Sequence, residues 1–263
     1  MKSIIVLENN NSKVRIEKGE LISFIFNNEE FIHQKGNRGW RKSDDEMFPV
    51  IGPTSKNNYR MHTKKGDAIQ DQHGLLRELT YELYYSDATS AKFIKSYAAN
   101  TKINNAKFPE KSNEPLLNWP FDFSFEKNFT LKEGILEIDF KITSEEGMPY
   151  MLGYHPAFLL SDTGKDTLVA NDKKITLEDI YEVGHNAFPV MNTDKITLQN
   201  TDRKHLEIST TGFNNFMLWT QVDNMLCIEP ITQYTSYTDQ KFSEENMRIS
   251  KGVNEFSVQI KVI

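Results

Sequence analysis

Leu136-Glu137-Ile138-Asp139-Phe140-Lys141-Ile142 is the stretch that decides the fold class. Every even position is apolar and every odd position is charged. A β-strand turns successive side chains to opposite faces, so this spacing gives one oily face and one wet face. A helix would smear the same pattern around its circumference. Just upstream, Phe121-Asp122-Phe123-Ser124-Phe125-Glu126 alternates equally well. Lys132-Glu133-Gly134 separates Phe129-Thr130-Leu131 from the strand that starts at Ile135, and a glycine in so short a connector suits a hairpin. The C-terminus repeats the theme, with Phe256, Val258, Ile260 and Val262 facing one way and Ser257, Gln259 and Lys261 the other. Ile22, Phe24 and Phe26 form a similar set near the start.

Further strands are predicted over 79–85, 206–209, 216–219 and 225–228. Turn residues punctuate the chain at short intervals, as in a sandwich or barrel. Helical signal is confined to a short candidate over 91–99. The segment 104–119 is polar, carries Pro109 and Pro115, and reads as a surface loop. With no internal repeat, linker or composition break, residues 1–263 are expected to form a single all-β domain.

Composition narrows the functions. The 263 residues are 38% hydrophobic and include 17 Phe, enough for a sizeable core and in keeping with strands. A net charge of −6 leaves no basic excess for nucleic acid, and the small group Arg38, Arg41 and Lys42 reads as a solvated loop. The lone Cys227 excludes an intramolecular disulfide and sits in the apolar run Met225-Leu226-Cys227-Ile228, as a buried small hydrophobe would. The N-terminal apolar run is too short for a signal peptide, and nothing approaches the ~18 apolar residues of a membrane span, so a cytoplasmic protein without a membrane partner is expected. Neither a dinucleotide fingerprint nor a phosphate-binding loop is present. No paired-cysteine or HExxH zinc motif occurs, and the serine nucleophile elbow is missing. No metal and no cofactor are therefore expected. An enzyme built on this chain would use histidines, carboxylates and arginines.

Three segments hold such residues. Asp71-Gln72-His73-Gly74-Leu75-Leu76-Arg77 sets an imidazole and a guanidinium beside a glycine. Gly153-Tyr154-His155-Pro156-Ala157-Phe158 carries a histidine whose backbone the following proline biases toward an extended form. Cys227-Ile228-Glu229-Pro230 ends an apolar strand on a carboxylate, where water access should be restricted. On residue type alone each has a plainer reading: a structural histidine, a first exposed glutamate after a strand, or a surface ion pair at Arg77.

Taken in order along the chain, these segments resemble the aldose 1-epimerase family, especially its LacX-type branch. The resemblance runs through Gly19-Glu20-Leu21-Ile22-Ser23, Met47-Phe48-Pro49-Val50-Ile51-Gly52, His73-Gly74-Leu75-Leu76-Arg77, Trp119-Pro120-Phe121-Asp122-Phe123, Met148 to Phe158 and Cys227-Ile228-Glu229-Pro230. It implies a galactose mutarotase-like antiparallel β-supersandwich with a sugar cleft on one face. It also implies roles: Glu229 as general base, His155 as general acid, and His73 as the second histidine that holds and polarises the sugar. Arg77 shares the His73 motif and is expected to contact substrate or buttress the site.

Such an enzyme interconverts the anomers of a monosaccharide. It removes a proton from the C1 hydroxyl, delivers one to the ring oxygen, and reverses both after rotation about C1–C2. Ordinary values of ~4.3 for Glu and ~6.5 for His would leave Glu229 ionised and His155 able to carry the proton, the two lying on opposite sides of the sugar. Trp40, in the loop-like Gly39-Trp40-Arg41, is a candidate sugar platform or equally a core residue, and Trp219 is assigned to the core.

Two departures bear on specificity. Pro53 stands where the family usually has a sugar-contacting arginine, so that contact is expected to be lost or to be supplied by Arg41 or Arg60. Ile231 follows Glu229-Pro230 where the branch typically has tryptophan, which should reshape the pocket wall. The family's substrate-binding aspartate has no clear counterpart over 176–200. Two alternatives accompany the epimerase reading: a sugar-phosphate epimerase with Arg38, Arg41 and Lys42 as its clamp, and a non-catalytic sugar-binding module on the same fold. A monomer or weak homodimer is expected.

Overall fold

The computed structural model describes residues 4–235, 242 and 246–263. A nine-stranded antiparallel sheet forms one layer. Its order is Lys173–Thr176, Thr167–Ala170, Lys195–Gln199, Leu206–Thr211, Val253–Val262, Ile135–Ser144, Phe123–Lys132, Ser90–Tyr97 and Glu82–Ser86. A smaller sheet faces it, ordered Phe188–Met191, Asn215–Trp219, Met225–Ile231, Gly153–Tyr154 and Glu46–Met47, with Ala157–Leu159 also paired to Met225–Ile231. The N-terminal strands Ile4–Asn9, Ser12–Glu17, Glu20–Phe26 and Glu29–Glu30 make a separate four-stranded sheet. This is the galactose mutarotase-like all-β architecture the resemblance implied.

The alternating stretch behaves as its spacing dictates. Leu136, Ile138, Phe140 and Ile142 are buried, while Glu137, Asp139 and Lys141 are not. Phe123–Lys132 and Ile135–Ser144 pair from Phe123↔Ser144 to Lys132↔Ile135, leaving Glu133-Gly134 as the turn. Gly134 takes φ 67°, which a glycine adopts without steric cost. The inner faces of both sheets merge into one continuous core. Phe140 on the large sheet meets Tyr154 on the small one at 5.1 Å between ring centres.

Several local expectations are corrected. The candidate helix over 91–99 is instead the strand Ser90–Tyr97, paired along its length with Phe123–Lys132. Ala91, Phe93, Lys95 and Tyr97 point inward, so ladder pairing and burial override the local helical leaning of an alanine-containing segment. The strand expected over 79–85 starts later, at Glu82, after a 3₁₀ turn over Leu75–Glu78. Near the start, Phe24 is buried but Ile22 and Phe26 are only half-buried, while Leu21 and Ser23 join the interior. A register shift opposite, between Arg15 and Ile16, breaks the alternation there. The α-helix Leu177–Glu182 is short and closed by a Thr176/Asp179 capping box, a feature the sequence reading missed. The 104–119 loop is not wholly superficial, for Asn105, Ser112, Leu117 and Trp119 are buried. Among the described residues no helix is long and apolar enough to cross a membrane.

Candidate active site

Two of the three sequence segments belong to the small sheet, and the third is hydrogen-bonded to the chain just after its strand Glu46–Met47. Glu229 lies on Met225–Ile231, a strand buried on both faces, with Cys227 two residues away on the same side. His155 continues Gly153–Tyr154, and its N–H and C=O exchange hydrogen bonds with Asp45 (2.8 and 3.1 Å). His73 belongs to a loop stitched to the 48–52 segment. Its N–H donates to Gly52 O, its C=O accepts from Phe48, and Leu76 N–H donates back to Phe48 O. This stitching holds His73 itself at φ 69°, an uncommon conformation for a non-glycine residue. The next residue must be glycine, because a Cβ on Gly74 would fall 2.2 Å from Phe48 O.

These segments converge on one cleft of about 500 Å³, with His73, His155 and Glu229 in its wall. His155 Nε2 lies 3.4 Å from Glu229 Oε1. The two imidazoles stand edge to face, 5.9 Å between ring centres. Gly52 N–H donates to His73 Nδ1 (3.1 Å), which puts that ring's proton on Nε2, beside the Gln72 side-chain amide (3.2 Å). Trp40 is not a core residue. It stacks on His155 with ring centres 4.2 Å apart and lines the cleft. Trp219, assigned to the core by sequence, also lines the cleft, edge-on to His155 at 6.5 Å. Cross-strand pairing explains this: Trp219 lies opposite Cys227 and so shares the face of Glu229. Arg41 and Arg77 line the cleft too, as do Gln72, Lys111, His185 and Gln221, which the sequence reading passed over.

Burial sets the charge states. It pushes the Glu229 carboxyl up to about 8, against a smaller opposing pull from the Arg77 guanidinium. It pushes His155 down to about 3, helped by Arg77 and opposed by Asp45. His73 is driven well below the ordinary histidine range by the same burial, then by Arg77 and His155. The expectation of an ionised Glu229 facing a protonated His155 is therefore reversed. The pair still holds one proton, but it sits on the carboxyl. Nor do the two groups lie on opposite sides of a sugar-sized space; they are adjacent.

Behind the site is a layer of buried charge. Asp45 bonds Lys42 and Arg77 Nε (3.2 Å), and Lys127, fully buried, bonds Asp44 (2.6 Å) and Glu46 (2.7 Å). The Tyr154 hydroxyl donates to Asp44 (2.8 Å). Burial raises Asp44 to about 7 despite Lys127. A cavity of about 360 Å³ on this side shares Arg77 with the cleft. Among the described residues one group of side chains could hold a metal ion: His155, Cys227 and Glu229 bring their donor atoms within 4.8 Å of one another. A metal there would have to displace protons from both acids, because burial and Glu229 also push the Cys227 thiol well above its usual value.

The aldose 1-epimerase family model matches residues 56–247, well over half the chain, and spans His73, His155 and Glu229. The chain belongs to the aldose 1-epimerase family. No curated protein matches it. Among solved structures, a galactose mutarotase related enzyme from Lactobacillus acidophilus is 21% identical with a TM-score of 0.76, over 99% of this chain and 97% of that one. A galactose mutarotase-like protein from Lactobacillus casei is 17% identical with a TM-score of 0.79, over 99% and 100%. A galactose mutarotase-like protein from Clostridium acetobutylicum is 11% identical with a TM-score of 0.66, over 100% and 95%. At these identities the likeness is one of fold.

Within this aldose 1-epimerase family member the two departures fall differently. Of the candidates to replace the arginine missing at Pro53, Arg41 lines the cleft, whereas Arg60 pairs with Glu114 (3.0 Å) on a separate hairpin and is not in the cleft wall. Ile231 is fully buried in the core and does not line the cleft, so the expected reshaping of the wall at that position is not seen. The clamp anticipated from Arg38, Arg41 and Lys42 does not assemble either: Arg38 pairs with Asp223 and Lys42 with Asp45.

Proposed function

We propose that this protein is an aldose 1-epimerase acting on a monosaccharide, with Glu229 and His155 exchanging the protons and His73 holding the sugar. One observation carries the reading: in a chain of this family, His155 Nε2 and Glu229 Oε1 lie 3.4 Å apart in the wall of a cleft that also contains His73. The two oxygens that trade protons during anomer exchange, the C1 hydroxyl and the ring oxygen, are bonded to the same carbon. An acid and a base side by side match them better than groups on opposite faces.

The pair's single proton is enough for a turn of the cycle. Its transfer from Glu229 to His155 gives a carboxylate and an imidazolium at 3.4 Å, where mutual attraction offsets part of the desolvation cost. Glu229 then takes the proton of the C1 hydroxyl as His155 gives its own to the ring oxygen. The ring opens, C1–C2 rotates, and reclosure on the other face returns both protons. His73 is neutral and its Nε2–H faces the Gln72 side-chain amide, so a sugar oxygen that displaces this contact can take the hydrogen bond without adding charge. Arg77 has a buried Nη2 with no partner, a donor that a sugar oxygen would satisfy. Trp40, flat against His155, fixes the ring plane of the acid and offers apolar surface to the sugar. Only protons move, so side chains of these kinds suffice for the chemistry.

The test is anomer exchange of several freshly dissolved sugars, followed by polarimetry or NMR. Wild-type protein should accelerate exchange and Glu229→Gln should largely remove the acceleration. Sugar binding by wild type without acceleration would leave a non-catalytic binding module instead.

A further inference from the structure

The charges in the cleft wall do not balance. The whole chain carries −6, yet among the described residues the cleft is lined by Arg41, Arg77 and Lys111 and by a single carboxylate, Glu229. Among the described residues Arg41 and Lys111 make no ion pair or side-chain hydrogen bond. Arg77 shares Asp45 with Lys42, and its buried Nη2 is unpartnered. Glu229 offers little compensation, since burial keeps it protonated near neutral pH. Some cations elsewhere on this protein are paired, Lys35 with Glu20, Arg38 with Asp223, Lys65 with Glu145 and Lys92 with Glu126, so the imbalance is one of the cleft wall itself. A concave, partly desolvated wall of one sign concentrates counter-ions and raises their local concentration.

Building on the epimerase reading, we propose that this cleft selects an anionic sugar, one bearing a carboxylate or a phosphate, and that Arg41, Lys111 and Arg77 recognise its charge. Arg41 and Lys111 supply the charge that a free aldose would leave unmatched. Arg77 presents planar donors suited to a carboxylate or phosphate oxygen. The arrangement differs from the clamp suggested by sequence, keeping only Arg41 and drawing Lys111 from the 104–119 loop.

Calorimetric titration with glucose, glucuronate and glucose 6-phosphate, and with the matching galactose series, measures the preference directly, and anomer exchange is read on the same sugars. The anionic member of each series should bind at least about tenfold more tightly at low salt, and the advantage should shrink as ionic strength rises. A larger advantage for the uronate identifies a carboxylate substrate, and a larger one for the 6-phosphate a phosphorylated one. The Arg41→Gln/Lys111→Gln double variant should bring the anionic-to-neutral affinity ratio down about tenfold, and circular dichroism should show it folded. Neutral sugars binding as tightly as their anionic counterparts overturn the inference, as does a ratio that the double variant and salt both leave unchanged. Anionic preference without anomer exchange would support this inference while sinking the epimerase reading.

Discussion

Phe125 and Lys127 lie two residues apart on one strand and both point inward, but they enter different surroundings. Phe125 packs against Phe48 and Phe140, with ring centres 5.8 and 5.9 Å away. Lys127 is equally buried and meets two carboxylates, Asp44 and Glu46, with the rings of Tyr154 and Phe129 5.0 and 5.1 Å from its ammonium. The first region is held by apolar area withdrawn from water, which is favourable and undirected. The second has stripped several charges of water and recovers that cost only through exact pairing. The difference teaches where rigidity is needed. The charged layer adjoins the cleft, ties Arg77 in place through Asp45, and shares backbone hydrogen bonds with His155. Apolar packing sets the distance between the sheets, and buried pairs fix the orientation of the groups lining the cleft.

Four experiments bear on this contrast, from the largest effect downward. Glu229→Gln should lower the kcat of anomer exchange by about 10²–10⁴-fold while raising the urea midpoint at neutral pH, since the amide needs no proton taken up on folding. Phe125→Ala should do the reverse, costing about 3–5 kcal/mol of stability with little change in kcat of the folded protein. If both variants lost activity and stability together, the two regions would not be separable. Next, Lys127→Met should cost about 3–5 kcal/mol, because it strands two buried carboxylates. Adding Asp44→Asn and Glu46→Gln should restore most of it in chemical denaturation; a neutral effect of Lys127→Met alone would mean the layer is looser than its distances.

The third is a pH dependence. Folding raises Glu229 from 4.5 to about 8, so through this window the folded protein holds a proton that the unfolded chain has released, and stability falls as pH rises. Asp44, raised to about 7, acts in the same direction at lower pH, and His155, lowered from 6.5 to about 3, acts oppositely below 6.5. Between pH 7 and 8 the Glu229 contribution should stand out, with a slope of at most about 1.4 kcal/mol per unit, and Glu229→Gln should flatten it. Urea midpoints across that range decide the matter, and equal slopes for the two proteins would contradict the buried, protonated carboxyl. The smallest effect is expected at the edge of the site: Trp40→Ala removes the stack on His155, worth about 1 kcal/mol, and should lower kcat/KM about fivefold.

Much of this was legible in the chain. The alternation at Leu136–Ile142 and again at Phe256–Ile260 predicted both the strands and their buried faces, since period-two patterning is a property of the backbone that needs no partner. The bulge beside Arg15 was not legible, because a register shift belongs to a pair of strands. The strand at Ser90–Tyr97 was misread for a related reason: its alternation is interrupted by Lys95, whose inward place makes sense only beside Glu46, 3.6 Å away. Lys127 had left the same kind of trace, a charge at an inward position between Phe125 and Phe129. Trp219 was assigned to the core because strand parity alone cannot tell which face borders a cleft.

By itself the sequence determined the all-β class, most strand faces, the family, and the three residues His73, His155 and Glu229 as candidates. These follow from local periodicity and from ordered motifs, both carried along one dimension. Only the tertiary structure decided that His155 and Glu229 are adjacent, that burial favours the protonated carboxyl of Glu229, and that Arg41, Lys111 and Arg77 outnumber the carboxylates among the described residues of the cleft wall. Each of those depends on burial and on distances between residues remote in the chain, and solvation free energy is a function of the space around a group, not of its neighbours in sequence.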